Sequence, residues 1–405
     1  MNIWKKNIAL FLSSQIISLF GSSLVGSAMA WYITLETQSG TMLTIAMICG
    51  FLPMFFVSPF AGVWADRHNK KRLIMFSDLA IAAATLGMAI SFISGYRAYW
   101  LMFAVMAFRG LGQGIQQPAV NSLVPRLVPP DKLMRINGVS SSAQSAMMLI
   151  SPAAAGALMT FAPLEIIFFI DVVTAVIAVA VLALFVRAEE ENKAEKPAGK
   201  AEYFKDFRLG LKYAAGHKVV ALFLIFSAVM TVTSAPVAIL YSLHITRLFG
   251  PAAWRLSAID VAFSAGMTLG GLLITIWGGF KNRHTTITIG LIVSSIGTVL
   301  CGILVNFWLC VALVALIGAC MPLFNTPAIT VLQELVEPEY LGRVISFVSM
   351  VGSLMMPVGL LVFGPLSDVI GLDVIFIGTG ALQIIISVIF MFNKTARKAG
   401  IRHRA

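Results

Sequence analysis

A chain of 405 residues with 59% hydrophobic and only 12% charged residues carries about half the usual charged share of a globular protein. Such a chain cannot cover its surface in water, and a bilayer can cover it. The net charge of +11 would suit nucleic acid if it formed one patch. Instead the basic residues fall between long apolar runs, which excludes that partner.

In chain order the apolar runs predict transmembrane helices over approximately 8–35, 40–64, 73–95, 98–124, 135–160 and 163–187. Six more are predicted over 218–247, 256–280, 285–306, 308–334, 340–369 and 373–393. Each reaches the ~20 residues that cross ~30 Å of hydrocarbon at 1.5 Å per residue. Strand alternation is absent, so helices are the way to satisfy the backbone in lipid. The fold class expected is therefore all-α integral membrane, with twelve transmembrane helices. Lys5, Lys6 and the Ala28–Ala30 triplet imitate a signal peptide with a cleavage site. The apolar run after them is too long for one and reads as an uncleaved first helix.

Of 29 Lys and Arg, 25 fall in the termini and alternate loops, which puts both ends of the chain in the cytoplasm. Residues 1–187 form one six-helix bundle and 218–393 a second, with a basic tail over 394–405. Between the bundles, 188–217 is the one long hydrophilic stretch. Its first part is a charged linker. Its second part spaces Phe204, Phe207, Leu211 and Ala214 as an amphipathic helix at the cytoplasmic surface would, although a plain connector fits as well.

The two bundles repeat. QPAVNSLVPRLVPPDKLMRI aligns with TPAITVLQELVEPEYLGRVI, so that Pro118 and Ala119 match Pro327 and Ala328 at an offset of 209. Arg135 matches Arg343 at 208 and Pro152 matches Pro357 at 205. Two halves of like topology imply an axis along the membrane normal, alternating access and a substrate site near the midplane.

Three motifs carry chemistry. The loop GVWADRHNKKR holds Gly62, Asp66, Arg67, Lys70 and Lys71. Gly62 would let two helices cross closely. Asp66 at a helix end can face the positive N-terminus of a neighbouring helix and pair with an arginine, a contact that must break on opening. The alternative is an exposed basic loop. The second is Arg109, ~16 Å from the outer end of its span and so near the bilayer centre. There it needs interior partners, because an arginine costs at least ~2.5–3.5 kcal/mol at that depth. Gly112 and Gly114 beside it allow close packing, and Gln113, Gln116 and Gln117 offer hydrogen bonds; backbone carbonyls alone could also hold it. The third is MMLISPAAAGAL, in which Pro152 and Gly156 make a bendable crossing.

A titrating carboxylate within the membrane is the requirement for proton coupling. Asp171 is best placed by depth and Asp78 is second, so Asp171 with Arg109 is the coupling pair expected; helix packing or capping is the alternative for Asp171. Glu36, Asp260 and Asp368 lie at outer ends, where pairing with Arg247, Arg255 or His244 is equally open. Gln15, Gln113, Gln117, Gln144, Tyr241 and Asn325 are the polar groups that a substrate cavity would draw on. Methionine and phenylalanine, 20 and 28 of them, supply adaptable walls.

These motifs resemble the major facilitator superfamily. The Gly62–Lys71 loop matches its pattern between spans 2 and 3, with Asn69 in place of a glycine. Arg109 resembles its span-4 arginine motif, linked with proton coupling. Ser151-Pro152 with Ala155-Gly156 resembles the antiporter motif, with two glycines replaced. In the family the neighbour of the loop is span 11, so Arg343, Glu334 and Glu339 are the gate partners implied. The whole chain is similar to drug-proton antiporters of the macrolide-efflux type, through stretches such as GFLPMFFVSPFAGVWADRHNKKRLIM and EPEYLGRVISFVSMVGSLMMPVGL. The resemblance implies a monomer in the bacterial inner membrane that exports lipophilic small molecules against protons. A dedicated exporter of a metabolite, siderophore or self-made antibiotic shares these motifs; an importer or a membrane sensor is a further alternative. No GxxxxGK[ST] loop exists for nucleotide drive, and the five scattered histidines build no enzyme site.

Overall fold

The structure is a computed structural model that describes residues 3–186 and 216–399. The linker and the helix expected over 204–214 lie outside the described residues, as do the last six residues of the tail. In chain order the helices are α1 (Ile3–Thr37), α2 (Gly40–Arg67), α3 (Lys70–Ile93), α4 (Tyr99–Leu127), α5 (Leu133–Phe161) and α6 (Leu164–Phe185). Then come α7 (Lys218–Ala235), a π-helical turn (Pro236–Leu240), α8 (Tyr241–Phe249), α9 (Ala253–Trp277) and α10 (Arg283–Ile303). α11 (Phe307–Leu335), α12 (Pro338–Val369), α13 (Leu372–Phe392) and the short α14 (Lys394–Ala399) complete the chain. The protein is all-helical, and among the described residues eleven helical segments are long and apolar enough to cross a membrane. The predicted span over 98–124 is missing from that set. α4 is there and has 29 residues, but Arg109 and three glutamines lower its apolar character.

Two compact units divide the chain. The first comprises residues 1–36, 45–197 and 252–257; the second comprises 37–44, 198–251 and 258–405. Each folds on the same plan. α4 and α11 begin and end 208 residues apart, and their buried faces coincide at that offset: Met102 with Cys310, Met106 with Val314, Gly110 with Gly318, Leu123 with Val331. The Pro-Ala pairs at 209 are therefore one residue out of register. Burial, not residue identity, fixes the alignment. α6 and α13 superpose at 208, whereas α3 and α10 do so at 213, with Ile74 on Ile287 and Thr85 on Thr298.

Lipid offers no hydrophobic drive between helices, so close backbone approach must hold them. A Cβ at Gly110 would overlap the Gly50 carbonyl, and one at Gly318 would overlap the Phe263 carbonyl. The ends of each bundle are tied alike. Asn69 and Asn282 accept backbone N–H bonds as N-caps of α3 and α10. Two residues later, Lys71 donates to the carbonyls of Ala183 and Val186, both at 2.9 Å, at the end of α6. His284 makes the equivalent contact to Phe390 O, 2.9 Å, at the end of α13. A helix C-terminus carries unpaired carbonyls and partial negative charge, and these donors satisfy it.

Candidate functional site

Two buried ionisable residues of the first unit meet. Arg109, one turn above the Gly112–Gly114 contacts of α4, is 4% exposed, and Asp171 on α6 is 1% exposed. Nη1 of Arg109 lies 2.5 Å from Asp171 Oδ2 and also donates to the Thr85 hydroxyl of α3. That hydroxyl is 3.0 Å from both Asp171 Oδ2 and the Ile81 carbonyl. Nη2 of Arg109 reaches the Ser22 carbonyl of α1 at 3.1 Å, and the Ser22 hydroxyl is 3.4 Å from Asp171 Oδ1. Four helices thus close a neutral pair whose charges are matched inside the bundle, the condition for burying them at all.

Two turns nearer the basic loop is a second carboxylate with different company. Asp78, 3% exposed, accepts from Ser18 Oγ at 2.6 Å and Gln116 Nε2 at 2.7 Å, both through Oδ1. Its Oδ2 is buried with no hydrogen-bond partner among the described residues, and so is Nε2 of Gln15. Asp171 is held by a cation, Asp78 by neutral donors only.

Ser18 and Gln116 also face a cavity of about 420 Å³ in the same unit. Its walls carry five glutamines (Gln15, Gln113, Gln116, Gln117 and Gln144), the serines Ser22, Ser23 and Ser140, and the apolar Phe11, Met54, Met147 and Met148. Among the described residues, no charged side chain lines it. Such a lining offers orienting hydrogen bonds on a deformable apolar surface.

Among the residues singled out by sequence, Gln15, Gln113, Gln117 and Gln144 come together on that cavity. Tyr241 and Asn325 do not line it: Tyr241 is buried against His244 and Phe376, and Asn325 is exposed, both in the second unit. Gly112 packs on Ile81, Gly114 on the Met54 carbonyl, and Gly156 on Ser257. Gly62 departs from its expected reason, since a Cβ there would meet nothing within 4 Å. Among the gate residues, Lys70 is buried and Lys71 ties down α6 as described. Glu334 pairs with Arg283 at the start of α10, and the Arg343 guanidinium lies 5.8 Å from the Tyr340 ring centre. The side chains of Asp66, Arg67 and Glu339 lie outside the described residues. Sequence reasoning missed Thr85, Ser18 and Ser22 as partners; the signal available was a polar residue on a neighbouring span at matching depth.

The sequence profile of the Major Facilitator Superfamily matches residues 11–257 and 219–404. The chain belongs to this superfamily. It is a multi-pass membrane transporter, and its family implies a small-molecule substrate. Macrolide efflux protein A of Streptococcus pyogenes is 30% identical over 405 residues, covering 99% of each chain. The Enterococcus faecalis protein of that name is 30% identical over 326 residues, 79% of this chain and 100% of its own. Among solved structures, a POT family transporter in complex with 5-aminolevulinic acid matches with a TM-score of 0.72 at 14% identity, covering 94% of each chain. A bacterial homolog to the human lysosomal transporter Spinster gives 0.66 at 13% identity, covering 99% of this chain and 97% of its own. These likenesses in structure establish the fold.

Proposed function

We propose that this protein is a proton-driven exporter of lipophilic small molecules, macrolide-like compounds among them. It works by alternating access as a monomer in the cell membrane, with α4 as the twelfth span and both termini in the cytoplasm. The observation that carries the reading is the glutamine- and methionine-lined cavity whose wall residues Ser18 and Gln116 also hold a buried carboxylate. Full-length similarity to macrolide efflux proteins supports the substrate class and the direction.

The two carboxylates divide the work. Protonating Asp171 would strand a buried guanidinium, at a cost of about 3–5 kcal/mol for a broken buried pair. Protonating Asp78 strands no cation, and its open oxygen has room for the proton. Asp78 is therefore the residue that carries the proton, while Arg109 and Asp171 fix the field around it. Because Ser18 and Gln116 touch both Asp78 and the cavity, a substrate that recruits their hydrogen bonds withdraws them from the carboxylate. Losing those donors favours the protonated carboxylate, so a bound substrate promotes uptake of the proton and its departure promotes release. Lys71 and Glu334 are engaged within their own units, and the gating role is assigned to the other residues that the family motif names, Asp66, Arg67, Lys70 and Arg343.

Cells that express the chain should accumulate less erythromycin and ethidium than control cells, and a protonophore should abolish the difference. Unchanged accumulation over a broad compound panel would sink drug export and leave a dedicated exporter of a metabolite, siderophore or self-made antibiotic.

A further inference from the structure

One helix crossing occurs twice in this protein, once in each unit. In the first unit Ser257 Oγ, on α9, donates to the Pro152 carbonyl of α5 at 3.0 Å, and Ser257 rests on Gly156. In the second, Thr44 Oγ1, on α2, donates to the Leu360 carbonyl of α12 at 3.2 Å, and Thr44 rests on Gly364. Thr44 and Ser257 are 213 residues apart, as are the first residues of α2 and α9. Pro152 and Leu360 are 208 apart, and so are Gly156 and Gly364. The same crossing is built from the same parts.

The second copy adds a buttressed ion pair. Asp368, in the last turn of α12, accepts from Ser39 Oγ at 2.7 Å, Gly40 N at 2.7 Å and Thr41 N at 2.9 Å. These are the unpaired donors at the start of α2, where a carboxylate is favoured by hydrogen bonding and by the helix dipole. Arg247, in the last turn of α8, donates to Asp368 Oδ1 at 3.0 Å and to the Ser367 carbonyl at 2.7 Å. It also donates to the Gln38 carbonyl from Nη2 at 2.6 Å and from Nε at 3.2 Å. Gln38 is the one described non-glycine residue with positive φ, +47°, a conformation that an L-residue holds only when its surroundings insist. At the other crossing the place of Asp368 is taken by Thr160, which bonds back to its own helix at Gly156 O. At the 212-residue offset that pairs the buried faces of α1 with those of α7 and α8 (Phe11 with Phe223, Thr34 with Thr246), the place of Arg247 is taken by Leu35.

We propose that Asp368 and Arg247 form a latch that clasps the first turn of α2 to the last turn of α12, and that its release is a discrete step of transport. The inference rests on the alternating-access reading above, in which this end of the molecule faces outward. Both side chains are about 30% exposed, at 27% and 31%. Water can therefore replace each bond as the latch opens, so the contact is strong enough to define a closed state and weak enough to leave it. The strained Gln38 turn relaxes on release, which gives the element two stable arrangements instead of a continuum. At the Ser257 crossing Thr160 stands in place of the carboxylate and bonds to its own helix.

The test uses the full chain in lipid nanodiscs with Cys49→Ser, since Cys301, Cys310 and Cys320 are buried. Thr44→Cys places a thiol beneath the latch and Ser257→Cys places one at the unlatched mate. With a polar maleimide, Asp368→Ala should raise the labelling rate of the Thr44→Cys thiol at least about tenfold, roughly 1.4 kcal/mol in the closed-to-open balance. Arg247→Gln should raise it several-fold, and neither variant should alter labelling at Ser257→Cys. No change at Thr44→Cys in either variant would overturn the latch. An equal rise at both thiols would also overturn it, because it would mean general loosening. The labelling needs neither substrate nor proton gradient, so failure of the drug-export reading would leave this result standing, and the reverse.

Discussion

The two units share a scaffold and differ in what they bury. At the register set by burial, Arg109 of the first unit corresponds to Ile317 of the second, Asp171 to Thr379, and Asp78 to Leu291. Thr85 and Thr298 occupy one position in both, yet only Thr85 has an ion pair to bind; Thr298 bonds back to Ser294 of its own helix. At these positions the second unit packs the same helices without a buried ion pair. The first unit buries its pair at a desolvation cost that packing alone does not require.

That contrast can be broken by transplantation. The double variant Arg109→Ile with Asp171→Thr copies the second unit into the first. It should fold, because neither partner is left stranded, and it should lose at least about 90% of transport. Either single change should lower stability by about 3–5 kcal/mol as well as stop transport, because one buried charge remains unpaired. Thermal melting of the purified variants together with a flux assay would check both halves of this statement.

Asp78→Leu, the residue of the second unit at that position, should have the next largest effect. A carboxylate with an unpaired buried oxygen contributes little to stability, so the melting temperature should hold or rise while pH-driven flux falls about tenfold. Asp78→Asn should keep substrate exchange at equal pH on both sides and lose accumulation against a gradient. A third, smaller effect is expected from Gln116→Leu, which removes one hydrogen bond shared by cavity and carboxylate, worth about 1.5–3 kcal/mol to a charged acceptor. Its signature should be a several-fold change in apparent substrate affinity together with a displaced pH profile, a combination that plain cavity loss would not give. The smallest effects should come from Lys71→Ala and His284→Ala. Each removes the donor at one helix end, about 0.5–2 kcal/mol by analogy with other caps, so both should lower the melting temperature by a few degrees and to similar extents.

Much of this was legible in the sequence because membranes leave few options. A backbone in lipid must be helical, so the apolar runs give the spans almost directly, and a charge within such a run is conspicuous: Arg109 and Asp171 stand out for that reason. The cavity glutamines stand out likewise, since four of those singled out line one cavity. Serine and threonine do not stand out, being common in such helices and able to bond their own backbone, as Thr233 does. Ser18, Ser22 and Thr85 become partners only once the bundle sets their depth. Gly62 fits a crossing glycine by residue type, but close approach depends on the neighbour, and Gly110 is the glycine that a neighbouring backbone requires. Asp368 was one of three acids at outer ends with three possible partners. Only the fold selects Arg247 and adds the start of α2, and α2 contributes backbone that no side-chain pattern reveals.

The most direct test of the central claim is proton uptake by purified protein in detergent when a macrolide is added in weakly buffered solution. If substrate and proton are linked through Ser18, Gln116 and Asp78, wild-type protein should take up protons on erythromycin binding and the double variant with Asp171→Thr and Arg109→Ile should still do so, whereas Asp78→Asn should bind without uptake. Equal uptake by Asp78→Asn and wild type, or release by wild type, would contradict the assignment of the proton to Asp78, and with it the account of how the first unit couples proton to substrate.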